Sequence, residues 1–141
     1  MRYILIATVA LIFGCSTQKP QSVEGATVRL AAVSGNPSAA YFTVNGGPVA
    51  DRLMTVSSPL VIRAEMHDMN MDGGMMKMAK LDSGVEVKAG GKVEFASGGK
   101  HVMLFDVSPK VVGGGKLPLV LTFASGAKLE TLADVKAAGQ E

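Results

Sequence analysis

From Thr27 to Leu132, apolar and polar residues alternate in short runs, broken at close intervals by glycine, proline or serine. A two-residue period belongs to strands, whose successive side chains point to opposite faces, and no stretch shows a convincing helical period. Ten strands are predicted, over 27–33, 39–45, 53–57, 60–67, 75–81, 85–88, 92–95, 101–107, 117–124 and 128–132. Asn45-Gly46-Gly47-Pro48, Asp72-Gly73-Gly74, Ala89-Gly90-Gly91, Ser97-Gly98-Gly99 and Gly113-Gly114-Gly115 separate them, and they read as sources of the positive φ that tight connections need. Short strands at this spacing predict an all-β sandwich or barrel, with no internal repeat and no domain boundary.

Alternation also sorts the side chains of the fourth predicted strand. Ile62, Ala64 and Met66 share one face and Arg63, Glu65 and His67 the other, which assigns Met66 to the core. With Asp72-Gly73 as a two-residue hairpin turn, His67 faces Met78 and Met69 faces Met76. The same register sets Asp68 against Lys77 and Glu65 against Lys80, both favourable pairs of opposite charge. A turn one residue later, at Gly73-Gly74, breaks these pairs. On the eighth predicted strand His101 and Met103, two residues apart, project from one face.

The N-terminus reads differently from the rest. A single early charge, Arg2, precedes an apolar run from Tyr3 to Phe13 and then Gly14-Cys15, the layout of a secretory signal. That run is too short to cross a bilayer, which needs about twenty apolar residues. Leu11-Ile12-Phe13-Gly14-Cys15 resembles a bacterial lipobox, so residues 1–14 are expected to be a cleaved signal peptide of lipoprotein type and Cys15 the lipidated first residue of the mature chain. Residues 15–25 then read as lipidated cysteine plus flexible tether, and 26–141 as the folded domain. The expected location is the periplasm, with membrane contact only through a lipid on Cys15.

Composition narrows the chemistry. Cys15 is the only cysteine, so the mature domain is expected to hold neither an internal disulfide nor a thiolate metal site. Fourteen basic against twelve acidic side chains give no electrostatic case for nucleic acid or an anionic membrane surface. No Gly-x-Ser-x-Gly elbow, nucleotide loop or recognisable pair of acid/base carboxylates points to an enzyme.

What the chain does concentrate is sulfur and imidazole. Of its nine methionines, Met66, Met69, Met71, Met75, Met76 and Met78 fall within one short segment, and the only two histidines, His67 and His101, lie inside or beside methionine clusters. Thioethers are soft neutral donors and imidazole is borderline, so together they select Cu(I) over oxygen-seeking ions. Zinc fits less well, because its protein sites rarely use thioether. His67, Met78, His101 and Met103 are the candidate metal ligands, a neutral set suited to a d¹⁰ ion. Glu65, Asp68 and Asp72 are candidates to attract the cation without binding it.

These same residues carry a resemblance. The chain resembles the periplasmic copper chaperone family PCuAC, whose signature is a histidine, ten residues, a methionine and, after a longer gap, His-x-Met. His67 and Met78 are separated by ten residues, and His101-Val102-Met103 follows after 22. Further similarity covers Ala40-Tyr41-Phe42-Thr43, Asp51-Arg52-Leu53, 73–78, 98–104 and Leu119-Val120-Leu121-Thr122-Phe123. The resemblance implies a single-domain, cupredoxin-like Greek-key β-sandwich or barrel. It also implies one Cu(I) on His67, Met78, His101 and Met103, and delivery toward the CuA centre of cytochrome c oxidase or to another copper chaperone. Some members of that family carry a second copper site on a His/Met-rich C-terminal extension; this sequence closes on Ala-Ala-Gly-Gln-Glu, and no second site is expected there.

Transfer would then proceed by replacing neutral ligands one at a time, with no redox step. Protons should compete with copper for the imidazoles below about pH 6.5. The alternative is a copper buffer or resistance protein that holds several Cu(I) on Met69, Met71, Met75 and Met76.

Overall fold

The computed structural model describes residues 18–140. The expected leader, the lipid-bearing Cys15 and the start of the tether lie outside the described residues. Ten strands follow one another: β1 (Ser22–Arg29), β2 (Ser38–Asn45), β3 (Asp51–Ser57), β4 (Val61–Asp72), β5 (Met75–Lys80), β6 (Val85–Val87), β7 (Lys92–Phe95), β8 (His101–Val107), β9 (Lys116–Phe123) and β10 (Lys128–Lys136). Each overlaps one of the ten predicted strands, and the described residues contain no helix.

The strands form one sheet in the order β5-β4-β8-β2-β1-β10-β9-β3-β6, with β7 also paired to β2. β1 and β10 run parallel, whereas β4 is antiparallel to both of its neighbours. Although β3 and β4 lie far apart in that order, they pack against each other, so the sheet curls round a single interior. Strict alternation fills this interior. Ser38, Ala40, Phe42 and Val44 of β2 point inward, as do Leu117, Leu119, Leu121 and Phe123 of β9. Phe42 stacks on Phe95 with ring centroids 4.5 Å apart. Burying a leucine, valine or phenylalanine contributes about 1.5–3 kcal/mol, so these rows and their neighbours hold the sheet closed without a disulfide.

Three local expectations change. β1 starts at Ser22, earlier than predicted, because Ser22, Val23 and Glu24 pair with Asn45, Val44 and Thr43; the register then shifts across a bulge at Gly25, whose φ is +64°. At the turn after β2, glycine is needed for space rather than for positive φ: a Cβ on Gly46 would sit 2.2 Å from the Lys88 carbonyl oxygen. Ile62 keeps the parity of Met66 yet is 81% exposed, whereas Met66 is 6% exposed. Its row meets β8 near Asp106, a non-glycine residue at φ +54°, where the strand leaves the core and borders an open groove with Val33 and Leu60.

Candidate metal centre

The candidate ligands stand on the outer face of the β5-β4-β8 edge. On β8, Val102 and Leu104 point into the core and are fully buried, which forces His101 and Met103 onto the opposite face. Register with β4 sets His67 directly against His101 and Glu65 against Met103. The two imidazole rings are nearly parallel, 20° apart, with centroids separated by 5.9 Å. Two nitrogens that share one ion lie about 2 Å from it and so no more than about 4 Å from each other, closer than the ring centroids stand here.

Each ring has one nitrogen tied and one left over. His101 Nδ1 donates to the Gly99 carbonyl at 3.0 Å, which leaves Nε2 as the lone-pair nitrogen. His67 Nε2 donates to Glu65 Oε2 at 3.2 Å. The remaining His67 Nδ1 is buried and has no hydrogen-bond partner. A buried polar atom without a partner is costly unless something outside the chain completes it, and a lone pair on a neutral imidazole is what a metal ion takes.

Glu65 is the residue that sequence reasoning undervalued. Besides His67 it accepts from Arg63 at 3.0 Å and lies 3.4 Å from Lys80 Nζ. The hydrogen bond from His67, helped by Lys80 and Arg63 and opposed by desolvation, holds its carboxyl below the usual carboxylate range. It therefore remains an anion that fixes the tautomer and tilt of the His67 ring, the role carboxylates commonly play behind metal-binding histidines. Its position two residues before His67, on the same strand face, was the signal available in the sequence.

The hairpin departs from the expected register. Its turn is Gly73-Gly74, so His67 faces Lys80, Met69 faces Met78 and Met71 faces Met76. Both turn glycines have positive φ, +59° and +82°. A two-residue turn with positive φ at both central positions suits glycine twice over, whereas a turn at Asp72-Gly73 would force Asp72 into that region. Moving the turn by one residue moves each direct partner by two, so the side chains keep their face. Met78 thus shares the outer face with His67, His101 and Met103 but lies diagonal to His67 and is 50% exposed.

The structure therefore brings His67, His101 and Met103 together and leaves Met78 further out. Met78 and Met103 flank His67 from opposite sides. Standard strand spacings separate their backbones by roughly 13 Å along the strands and about 10 Å across them, so a common ion requires the hairpin to fold over His67.

The acidic residues expected to attract a cation are already paired. Asp68 accepts from Lys100 at 3.1 Å, Asp72 from Lys77 at 2.6 Å, and Glu65 carries the three partners above. The expected Asp68–Lys77 pair does not form, because the shifted register sets Asp68 against Ala79. Glu65 and Lys80 still meet, across the diagonal. Among the described residues no group of three or more His, Cys, Asp or Glu side chains is arranged to hold a metal ion.

The LpqE-like family model, described as "Putative lipoprotein LpqE-like", matches residues 22–135. The chain belongs to the LpqE-like family. A curated relative, RP573 of Rickettsia prowazekii (strain Madrid E), is 31% identical over 102 residues, covering 72% of this chain and 55% of that protein, so the chain spans about half the length of that relative. Among solved structures, the copper-bound PCuAC domain from PmoF2 superposes with a TM-score of 0.69 at 21% identity, over 85% of this chain and 95% of that one. The solution structure of CuI-DR1885 from Deinococcus radiodurans gives 0.64 at 27% identity, over 86% and 81%. The LpqE-like chain thus has the cupredoxin-like fold of PCuAC domains, as the resemblance implied.

Proposed function

We propose that this LpqE-like protein is an exported copper chaperone that binds one Cu(I) through His67, His101, Met103 and Met78 and hands it on by ligand exchange. The observation that carries this reading is the opposed pair His67/His101, each ring held by one hydrogen bond with its second nitrogen free. Copper is the cargo, and the chain's own groups do the positioning. Gly99 and Glu65 orient the two rings, Met103 stands beside them on β8, and Met78 closes the set from the hairpin.

Support comes from the chemistry of the donors as well as from the family. Two imidazoles and two thioethers are neutral and suit a soft monovalent ion. The relatives in solved structures include a copper-bound PCuAC domain and a Cu(I) form of DR1885. Half-exposed Met78 is the ligand an acceptor can displace first, after which Met103 and the histidines can be exchanged in turn. Neither the ion nor the protein changes oxidation state. The acceptor is the CuA centre of cytochrome c oxidase or one of its assembly factors, and a lipid on Cys15 holds the chain in the periplasm at a membrane.

The test is an anaerobic competitive Cu(I) titration of the mature chain beside His101→Ala and Met78→Leu. Both variants should bind the first equivalent more weakly, His101→Ala by the larger factor. An unchanged first equivalent in His101→Ala would remove the reading. The same titration should weaken as pH falls from 8 to 5, because protons compete for imidazole nitrogen; a flat profile would contradict histidine ligation.

A further inference from the structure

The register that displaced Met78 creates a second arrangement of sulfur. Beyond His67, the outer face of the hairpin carries two directly opposed pairs, Met69 with Met78 and Met71 with Met76. Directly opposed residues have Cβ atoms about 5 Å apart, within reach of a common ion for side chains as long as methionine. Met75 belongs to the other face, opposite Asp72. The other face also carries Asp68, and Lys77 bound to Asp72, so beyond His67 the charged side chains of the hairpin all lie away from the two methionine pairs.

Core packing does not account for these thioethers. Met71 is 68% and Met76 55% exposed, and every residue of β5 is exposed. Scattered exposed apolar residues need no explanation, but opposed pairs of one residue type on one face are not scatter. No acidic or imidazole side chain stands on this face beyond His67, so hard cations have no ligand here. Neutral, polarizable sulfur is left, which is selective for a soft d¹⁰ ion.

We propose that Met69, Met71 and Met76 form a second, weaker Cu(I) site on the outer face of the β4–β5 hairpin, next to the His/Met centre. Three thioethers suffice for this site, so the inference does not depend on the four-ligand reading. Met78, opposite Met69, lies between the two sites and connects them along one face. The count is two ions and not several, because Met75 faces away, which separates this arrangement from a general copper buffer.

The test is an anaerobic titration of the mature chain with Cu(I), and in parallel with Ag(I), followed by the ¹³C-methyl NMR signals of the methionines. Wild type should take two equivalents, the second shifting the methyls of Met69, Met71 and Met76 but leaving that of Met75 in place. Met71→Leu/Met76→Leu should lose the second equivalent and keep the first, while Met75→Leu keeps both. His101→Ala should weaken the first and retain the hairpin equivalent, so failure of either site is read separately. Saturation of wild type at one equivalent, a second equivalent that survives Met71→Leu/Met76→Leu, or a Met75 methyl that shifts with the others would overturn the proposal.

Discussion

The β4–β8 ladder and the β4–β5 hairpin share a strand and a face but differ in support. In the ladder, the inward residues Met66, Val102 and Leu104 are buried, and the outward His101 is only 9% exposed. In the hairpin, β5 is the edge of the sheet and its six residues are all exposed. In the proposed site the two imidazoles and Met103 therefore sit where backbone and core fix their geometry, and Met78 sits where a partner can reach it. The proposed carrier role needs both properties, because fixed donors select the ion and accessible ones can be displaced by an acceptor. Glu65 joins the two regions, since it receives His67 from its own strand and Lys80 from the hairpin.

Stability should show the largest contrast. Leu104→Ala opens a cavity under the ladder and should cost about 2–5 kcal/mol, whereas Met76→Ala on the hairpin should stay within about 0.5 kcal/mol. Urea denaturation of the apo chain measures both, and equal losses would break the distinction between a packed ladder and a loose arm.

Copper affinity should follow the same order. Glu65→Gln keeps the shape of the side chain but weakens its hold on the His67 ring, and it should lower Cu(I) affinity about 10–100-fold. His101→Ala removes a proposed ligand and should exceed that range. Met78→Leu should fall below it and instead slow or alter transfer to an acceptor. Measured affinities in the reverse order would place the anchor in the hairpin.

The smallest effect is a pH dependence of apo stability. Because the His67 hydrogen bond lowers the Glu65 carboxyl from its ordinary value near 4.5, the unfolded chain takes up the proton first as pH falls. The contribution of Glu65 is thus fully present above about 4.5 and is lost as pH drops through the lower, folded value. Glu65→Gln should flatten this part of the acid limb in a pH series of denaturation curves. An unchanged limb would mean that the bridge between ladder and hairpin carries no stability.

All ten strands were legible in the alternation, and so were the parity that turns His67 away from the Met66 face and the common face of His101 and Met103, because parity along a strand follows from sequence alone; that these faces coincide came from the β4–β8 register. The hairpin register was not. Asp72-Gly73 and Gly73-Gly74 both form acceptable turns, and the charge pairs that favoured the first were satisfied elsewhere, Asp68 by Lys100 and Lys77 by Asp72. Nor could alternation show that Ile62 lies past the end of the core, since parity says which way a residue points and not how far the sheet is covered. The tether of Glu65 to His67 needed a rotamer, which no pattern of residues supplies.

X-ray absorption at the copper edge, on the mature chain loaded with one equivalent of Cu(I), tests the central claim most directly. The account predicts a monovalent ion with two imidazole nitrogens and two thioether sulfurs, and loss of one nitrogen in His101→Ala. A first shell of sulfur alone, or of nitrogen and oxygen without sulfur, would contradict it.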